Sequence, residues 1–285
     1  MELFVVDAFT NQLFGGNQAG VALIADGEAF PDAETMRQIA AELKHAETAF
    51  VQASGPKDFT LRYFAAEGEV SLCGHATVST FTALRNEKRL PVGSYTAHTK
   101  AGDLRIEVEP DLAWLEMAPG KLIRYLTDAE SEALYRAYSV GPDTRPGAMR
   151  PCIVDTGLAD ILLPVGSQTA LNNAVQDCAE VARLSEALNV IGVHMFCYDP
   201  SPEATAYCRN FAPFLGINEE AATGTANGAL TYFLLRQGLV SDGDTCVFRQ
   251  GIAMGRPSVI RGKVAGDRIF IGGNAVVSIT GQLHL

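Results

Sequence analysis

The sequence predicts an α/β chain of two pseudo-symmetric lobes. At 285 residues it is too long for one modest core and fits two of ordinary size. Strand-like and helix-like segments alternate along it. Its second half also repeats the first. Arg62-Tyr63-Phe64-Ala65 resembles Arg209-Asn210-Phe211-Ala212, and each is followed by a loop, a small-residue turn and a helix: Cys73-Gly74-His75-Ala76 in one, Thr223-Gly224-Thr225-Ala226 in the other. Two lobes built on one plan normally meet at a cleft.

Glu2 to Phe9 is β-branched and aromatic enough for a strand, and the Gly15-Gly16-Asn17 turn leads to a second strand from Gly20 to Ile24. Met36, Ile39, Ala40 and Leu43 recur at helical spacing, so Asp32 to Leu43 is read as a one-faced helix packed on a sheet. Strands follow at Thr48 to Gln52 and Phe59 to Phe64, then a loop with a short strand over Ala65 to Leu72, and a helix from Gly74 to about Arg85. The alternation in LRIEVEP and LAWLEM predicts a hairpin with Asp111 near its turn. The composition breaks at Pro119-Gly120, and Thr127 with Glu130 fits a capping box. The lobes are therefore expected at 1–119 and 120–285, with the last strand free to return to the first lobe. The second lobe is read as a Val165-centred strand, a helix from Asp177 to Leu188, and strands at Gly192 to Tyr198 and Thr205 to Phe211.

Composition excludes several function classes. A formal charge of −11 opposes a nucleic-acid groove or an anionic membrane surface, both of which reward clustered Lys and Arg. No apolar run approaches the roughly 20 residues of a membrane helix, and MELFVVDAFT reads as a strand rather than a signal peptide, which predicts a cytoplasmic protein. The six cysteines form no CxxC pair and no zinc spacing with histidine, so free buried thiols and no metal are expected. Gly251 to Ser258 is glycine-rich but precedes strands, unlike a dinucleotide fingerprint.

Each repeat puts a glycine at a helix start, Gly74 and Gly224, where unpaired amides and the helix dipole favour an anion; a tight turn alone explains each glycine equally well. Glu47 sits beside an apolar strand, where desolvation would raise its pKa toward a useful acid/base range, although by position alone a helix-end surface carboxylate is the plainer reading. His75 lies where a helix N-terminus disfavours the imidazolium, and Cys73 where it lowers a thiol's pKa. The counterpart of Cys73 is Thr223, which argues against a two-thiol racemase. Glu219, Glu220 and Thr225 bring carboxylates and a hydroxyl to the second repeat.

Taken together, VDAFT, FGGN, HAETAFV, LRYFA, EVSLCGHAT, RNFAP, EEAATGTAN and QGIAMGRPS resemble the PhzF-like phenazine-biosynthesis family of the diaminopimelate-epimerase-like superfamily, over nearly the whole chain. The resemblance implies two lobes, each a rolled sheet around a central helix, a cofactor-free site at their interface, and a homodimer. It makes Glu47 the general acid/base and His75 the site histidine, with Glu220 where the family has Asp and Thr225 where it has Ser. Cys73, Gly74, Thr223, Gly224 and Asn17 are the expected substrate contacts. Ala221 and Gln18 stand where the family usually has proline.

The implied activity is a cofactor-independent isomerase of the trans-2,3-dihydro-3-hydroxyanthranilate type, acting on a small carboxylate. Glu47 would remove a proton from one carbon and return it to another, while His75, Glu220 and Thr225 orient the substrate. Two rivals remain: an amino-acid epimerase or racemase of the same superfamily, and a non-catalytic small-molecule binding protein.

Overall fold

In the computed structural model, which describes residues 1–285, the chain divides into two compact units, 1–116 with 272–285, and 117–271.

The first unit opens with β1 (Glu2–Ala8), β2 (Asn17–Leu23), α1 (Ala33–Leu43), β3 (Glu47–Ala53), β4 (Asp58–Ala65), β5 (Gly68–Val70) and α2 (Gly74–Asn86), and continues with β6 (Gly93–Thr99), β7 (Gly102–Val108) and β8 (Ala113–Glu116). Strands β1 and β2 are antiparallel, β2 and β3 parallel, β3 and β4 antiparallel, β4 and β6 parallel, and β6, β7 and β8 successively antiparallel; β5 folds back on β4. Helix α1 carries the parallel crossover. Its apolar residues sit on one face, where Met36, Ile39 and Ala40 join Phe50 and Phe64, and Asp32 caps its first turn by accepting from Thr35 N–H. Lys44 ends it in a left-handed conformation, φ 57°, which turns the chain into β3.

Helix α2 differs, being buried on every side from His75 to Leu84 and packed against β1, β2, β3, β7 and β8. A helix enclosed this way has no solvated face: Thr77 and Thr80 donate to Cys73 O and Ala76 O, whereas the buried hydroxyls of Ser79 and Thr82 have no hydrogen-bond partner.

The second unit comprises β9 (Lys121–Tyr125), α3 (Asp128–Ala137), β10 (Cys152–Asp155), β11 (Ala159–Pro164), α4 (Gln168–Asn173), α5 (Cys178–Leu188), β12 (Val193–Tyr198), β13 (Ala206–Ala212), β14 (Ile217–Glu220), α6 (Gly224–Arg236), β15 (Thr245–Gln250), β16 (Ser258–Ala265) and β17 (Arg268–Gly273) as far as Ile271, Gly272 and Gly273 belonging to the first unit. The final strand, β18 (Ala275–Gln282), pairs antiparallel with β1. Within the second unit the pairing from β10 through β11, β12, β13 and β15 to β16 runs antiparallel, parallel, antiparallel, parallel, antiparallel, the same series as β1, β2, β3, β4, β6 and β7. Helix α6 is its buried central helix, against β10, β11 and β16. The capping box at Thr127 and Glu130 forms in full at the start of α3.

Several boundaries differ from the sequence reading. Val165 lies just beyond β11, although its N–H still donates to Phe196 O of β12 at 2.8 Å. Glu47 is not a linker residue but the first of β3, paired with Ala19. Cys178 is exposed at the start of α5, unlike the other five thiols, which are free and buried. No helix is long and apolar enough to cross a membrane.

Candidate active site

The ladder fixes Glu47. It opens β3, and its neighbour Thr48 is fully buried, so the backbone holds the carboxylate at the rim of the unit's core with only 19% of its side chain exposed. The next strand over carries Asn17, buried at the start of β2, two residues before Ala19.

Helix α2 brings the partners. Cys73 is its N-cap residue in extended conformation and makes no side-chain cap, so Gly74, His75 and Ala76 start a helix whose first intrahelical bond is Thr77 N–H to Cys73 O. His75 Nε2 lies 3.4 Å from Glu47 Oε2, and Cys73 Sγ lies 3.4 Å from His75 Nδ1. The reactive atoms of Glu47, Cys73 and His75 all fall within 4.8 Å of one another. That spacing suits proton transfer, and it also gives three donor atoms of the kind a divalent cation takes, which no sequence spacing had signalled.

Burial pushes the Glu47 carboxyl above its usual range; a hydrogen bond from Cys73 opposes this, and the charge of Glu67 adds to it. Its Oε2 is shielded from solvent and has no hydrogen bond of good geometry. A carboxylate so placed is a stronger base than one in water.

The second unit places Glu220 at the end of β14, paired with Asn210, and Thr223 Oγ1 donates to Glu220 Oε2 at 2.5 Å. Gly224 opens α6, again without a side-chain cap, and Thr225 follows half-buried in its first turn. Each unit therefore gathers its own share of the expected residues at the start of its central helix.

Register shows what the repeat does not share. Ala49 pairs with Tyr63 in the first unit and His194 with Asn210 in the second, so Glu47 is matched by Gly192. A Cβ at Gly192 would stand 2.2 Å from Phe211 O, which leaves no room for an acid. Similarly Val70, opposite Tyr63, is matched by Glu220, opposite Asn210. The bidentate pairs Arg62–Glu69 and Arg209–Glu219 are common to both, as is the stacking of each arginine over Phe64 or Phe211.

Sequence reasoning missed the buried polar residues of the second unit. Asp160 in β11 is 2% exposed, and burial, with the charges of Glu220 and Asp155, pushes its carboxyl up to about 8. His194, Asn210, Asn227 and Gln250 are each 3% exposed or less. Their one signal was a polar residue inside an otherwise apolar strand or helix.

Residues 6–281 match the phenazine biosynthesis-like protein family. The chain belongs to that family. An uncharacterized isomerase of Clostridium acetobutylicum is 33% identical over 99% of this chain and 98% of its own length. A PhzF-family phenazine biosynthesis protein of Bacillus anthracis superposes with a TM-score of 0.87 at 24% identity, covering 100% of this chain and 99% of that one. A probable proline racemase of Agrobacterium radiobacter shares the fold at a TM-score of 0.65 and 15% identity, covering 100% and 93%. Membership in the phenazine biosynthesis-like family thus spans both units.

Proposed function

We propose that this isomerase moves a proton between two carbons of a small cyclic carboxylate without a cofactor, Glu47 being the single group that takes the proton and gives it back. The observation that carries the reading is the Glu47–Gly192 mismatch: one repeat holds a desolvated carboxylate and the other a glycine whose space is filled by Phe211 O. A racemase acting from two faces needs a second base, and neither Gly192 nor Thr223 supplies one. A single base that serves both halves of the reaction yields a shifted proton.

In this reading the substrate's acidic C–H approaches Glu47, and the developing negative charge is met by the His75 imidazole and by the N–H groups of the first turn of α2. Cys73, hydrogen-bonded to Glu47, moderates how strongly the carboxyl holds its proton. Glu220, Thr223, Gly224 and Thr225 are assigned to the substrate's polar groups, as are Gly74 and Asn17, each assignment to be tested by substitution. The dihydro-hydroxyanthranilate type is the specific substrate class proposed.

The test is positional. Incubated in D₂O with a panel of cyclic amino and hydroxy carboxylates, an isomerase places deuterium on a carbon other than the one that lost its proton, as read by NMR. Deuterium returned only to the original carbon, with inversion, would support an epimerase instead.

A further inference from the structure

The second unit contains a continuous line of buried polar side chains that ends on Glu220. Gln250 Nε2 donates to Glu220 O at 2.8 Å and to Thr223 Oγ1 at 3.1 Å, while its Oε1 accepts from Thr223 N–H and from Asn227 Nδ2. Asn227 Nδ2 also donates to Thr223 O, and its Oδ1 lies 3.3 Å from His194 Nε2. His194 Nδ1 in turn lies 3.0 Å from Asn210 Oδ1.

The direction of this line follows from what each group can donate. With both asparagine Oδ1 atoms facing the imidazole, His194 would need a proton on each nitrogen, yet complete burial holds its pKa down to about 4 and keeps the ring neutral. One amide must therefore be turned. Asn227 cannot turn, because its Oδ1 would then face Thr223 O and Gln250 Oε1. The turn falls to Asn210, whose Nδ2 donates to His194 Nδ1, leaving the proton on Nε2 to be given to Asn227 Oδ1. Every bond from side chain to side chain then points one way, from Asn210 through His194, Asn227 and Gln250 to Thr223, and from the Thr223 hydroxyl to Glu220 Oε2. With Gln250 donating to Thr223 Oγ1, the hydroxyl proton has Glu220 as its acceptor.

The first unit shows that the fold does not need such a line. At the matching positions it has Ala49, Tyr63 and Thr77, and one phenol spans the gap with a single bond of 2.7 Å from Tyr63 to Thr77. Where the line is absent, the position matching Glu220 is Val70. Burying three polar side chains in place of two is unfavourable unless all are satisfied, and a fully satisfied network rigidifies what it touches.

We infer that Gln250, Asn227 and His194 are positioning residues, a one-way hydrogen-bond relay that fixes the Thr223 hydroxyl as donor and so holds the Glu220 carboxylate in one orientation as an acceptor. The inference rests on the proposed role of Glu220 as a substrate contact. An acceptor held this way selects a substrate that presents an amino or hydroxyl donor beside its carboxylate.

Two measurements test it. Long-range ¹H–¹⁵N correlation on the wild-type protein reports His194 as the neutral Nε2–H tautomer at about pH 7 and still neutral near pH 5; an Nδ1–H tautomer or an imidazolium at pH 7 overturns the relay. In the exchange assay, with the carboxylate that wild type labels, Thr223→Val and Gln250→Leu each lower kcat/KM about tenfold or more, Thr223→Ser recovers to within about threefold, and the double variant is no slower than the worse single one. Losses that multiply, or a Thr223→Ser as slow as Thr223→Val, contradict it. Glu220→Gln is run alongside. If it exchanges at the wild-type rate, the role of Glu220 has failed; if it is slow while Gln250→Leu is not, the relay alone has failed.

Discussion

His75 Nε2 stands 3.4 Å from Glu47 Oε2, and the thiol of Cys73 lies against the other side of the same pair, 3.4 Å from His75 Nδ1. One strand supplies the carboxylate and one helix start supplies both partners, so the proposed acid/base group and its neighbours are set by one strand and one helix start. Burial raises the Glu47 pKa and the Cys73 hydrogen bond lowers it, so in the proposed mechanism the thiol tunes the base.

Removing that thiol should therefore raise the Glu47 pKa further. In Cys73→Ala the acidic limb of the pH–rate profile for deuterium incorporation moves to higher pH, while the high-pH plateau falls by less than about tenfold, because the base itself remains. A limb that stays in place would remove Cys73 from this role.

Gly192 is predicted to be intolerant of any side chain. An added Cβ meets Phe211 O at 2.2 Å and Ala212 Cα at 3.1 Å, both backbone, so β12 and β13 must separate. Gly192→Ala is expected to lose about 2 kcal/mol or more of stability in urea unfolding. A variant as stable as wild type would show that the second repeat had room for an acid.

Asp160 and His194 give stability opposite dependences on pH. The folded Asp160 carboxyl is raised from 3.8 to about 8, so its contribution is fully present below pH 3.8 and is lost as pH rises to about 8. His194 is lowered from 6.5 to about 4, so its contribution is present above pH 6.5 and is lost as pH falls. The two oppose each other below pH 6.5, which leaves Asp160 to act alone between there and about 8. Over that window Asp160→Asn should flatten a decline of up to about 1.4 kcal/mol per pH unit, read from Tm or urea midpoints. An unchanged slope would mean that Asp160 is ionised in the folded protein.

Much of this was legible in the sequence, for local reasons. Motifs that mark a helix start are contiguous, so Cys73-Gly74-His75 and Thr223-Gly224-Thr225 located both central helices, and Thr127 with Glu130 located α3. The repeat itself was visible in Arg62-Tyr63-Phe64-Ala65 and Arg209-Asn210-Phe211-Ala212. What stayed hidden depends on pairing between distant segments. Strands as short as β10 and β14 have too few residues to show alternation, and β9 is mostly exposed. Glu47 looked like a helix-end surface carboxylate because only its bridge to Ala19 makes it a strand residue. His194, Asn227 and Gln250 come from separate elements, and no spacing joins them; the match of Glu47 to Gly192 likewise needs the register of both sheets.

The central claim is that Glu47 alone carries the proton. The direct measurement is deuterium incorporation by mass spectrometry for the carboxylate panel, with wild type and Glu47→Gln side by side. Wild type is expected to take up at most one deuteron per turnover, to the extent that the proton on Glu47 exchanges with solvent before it is returned, and Glu47→Gln to lose about a thousandfold or more of that rate. Exchange that persists in Glu47→Gln at a comparable rate would contradict it and transfer the role to another group in the same cluster, Cys73 first.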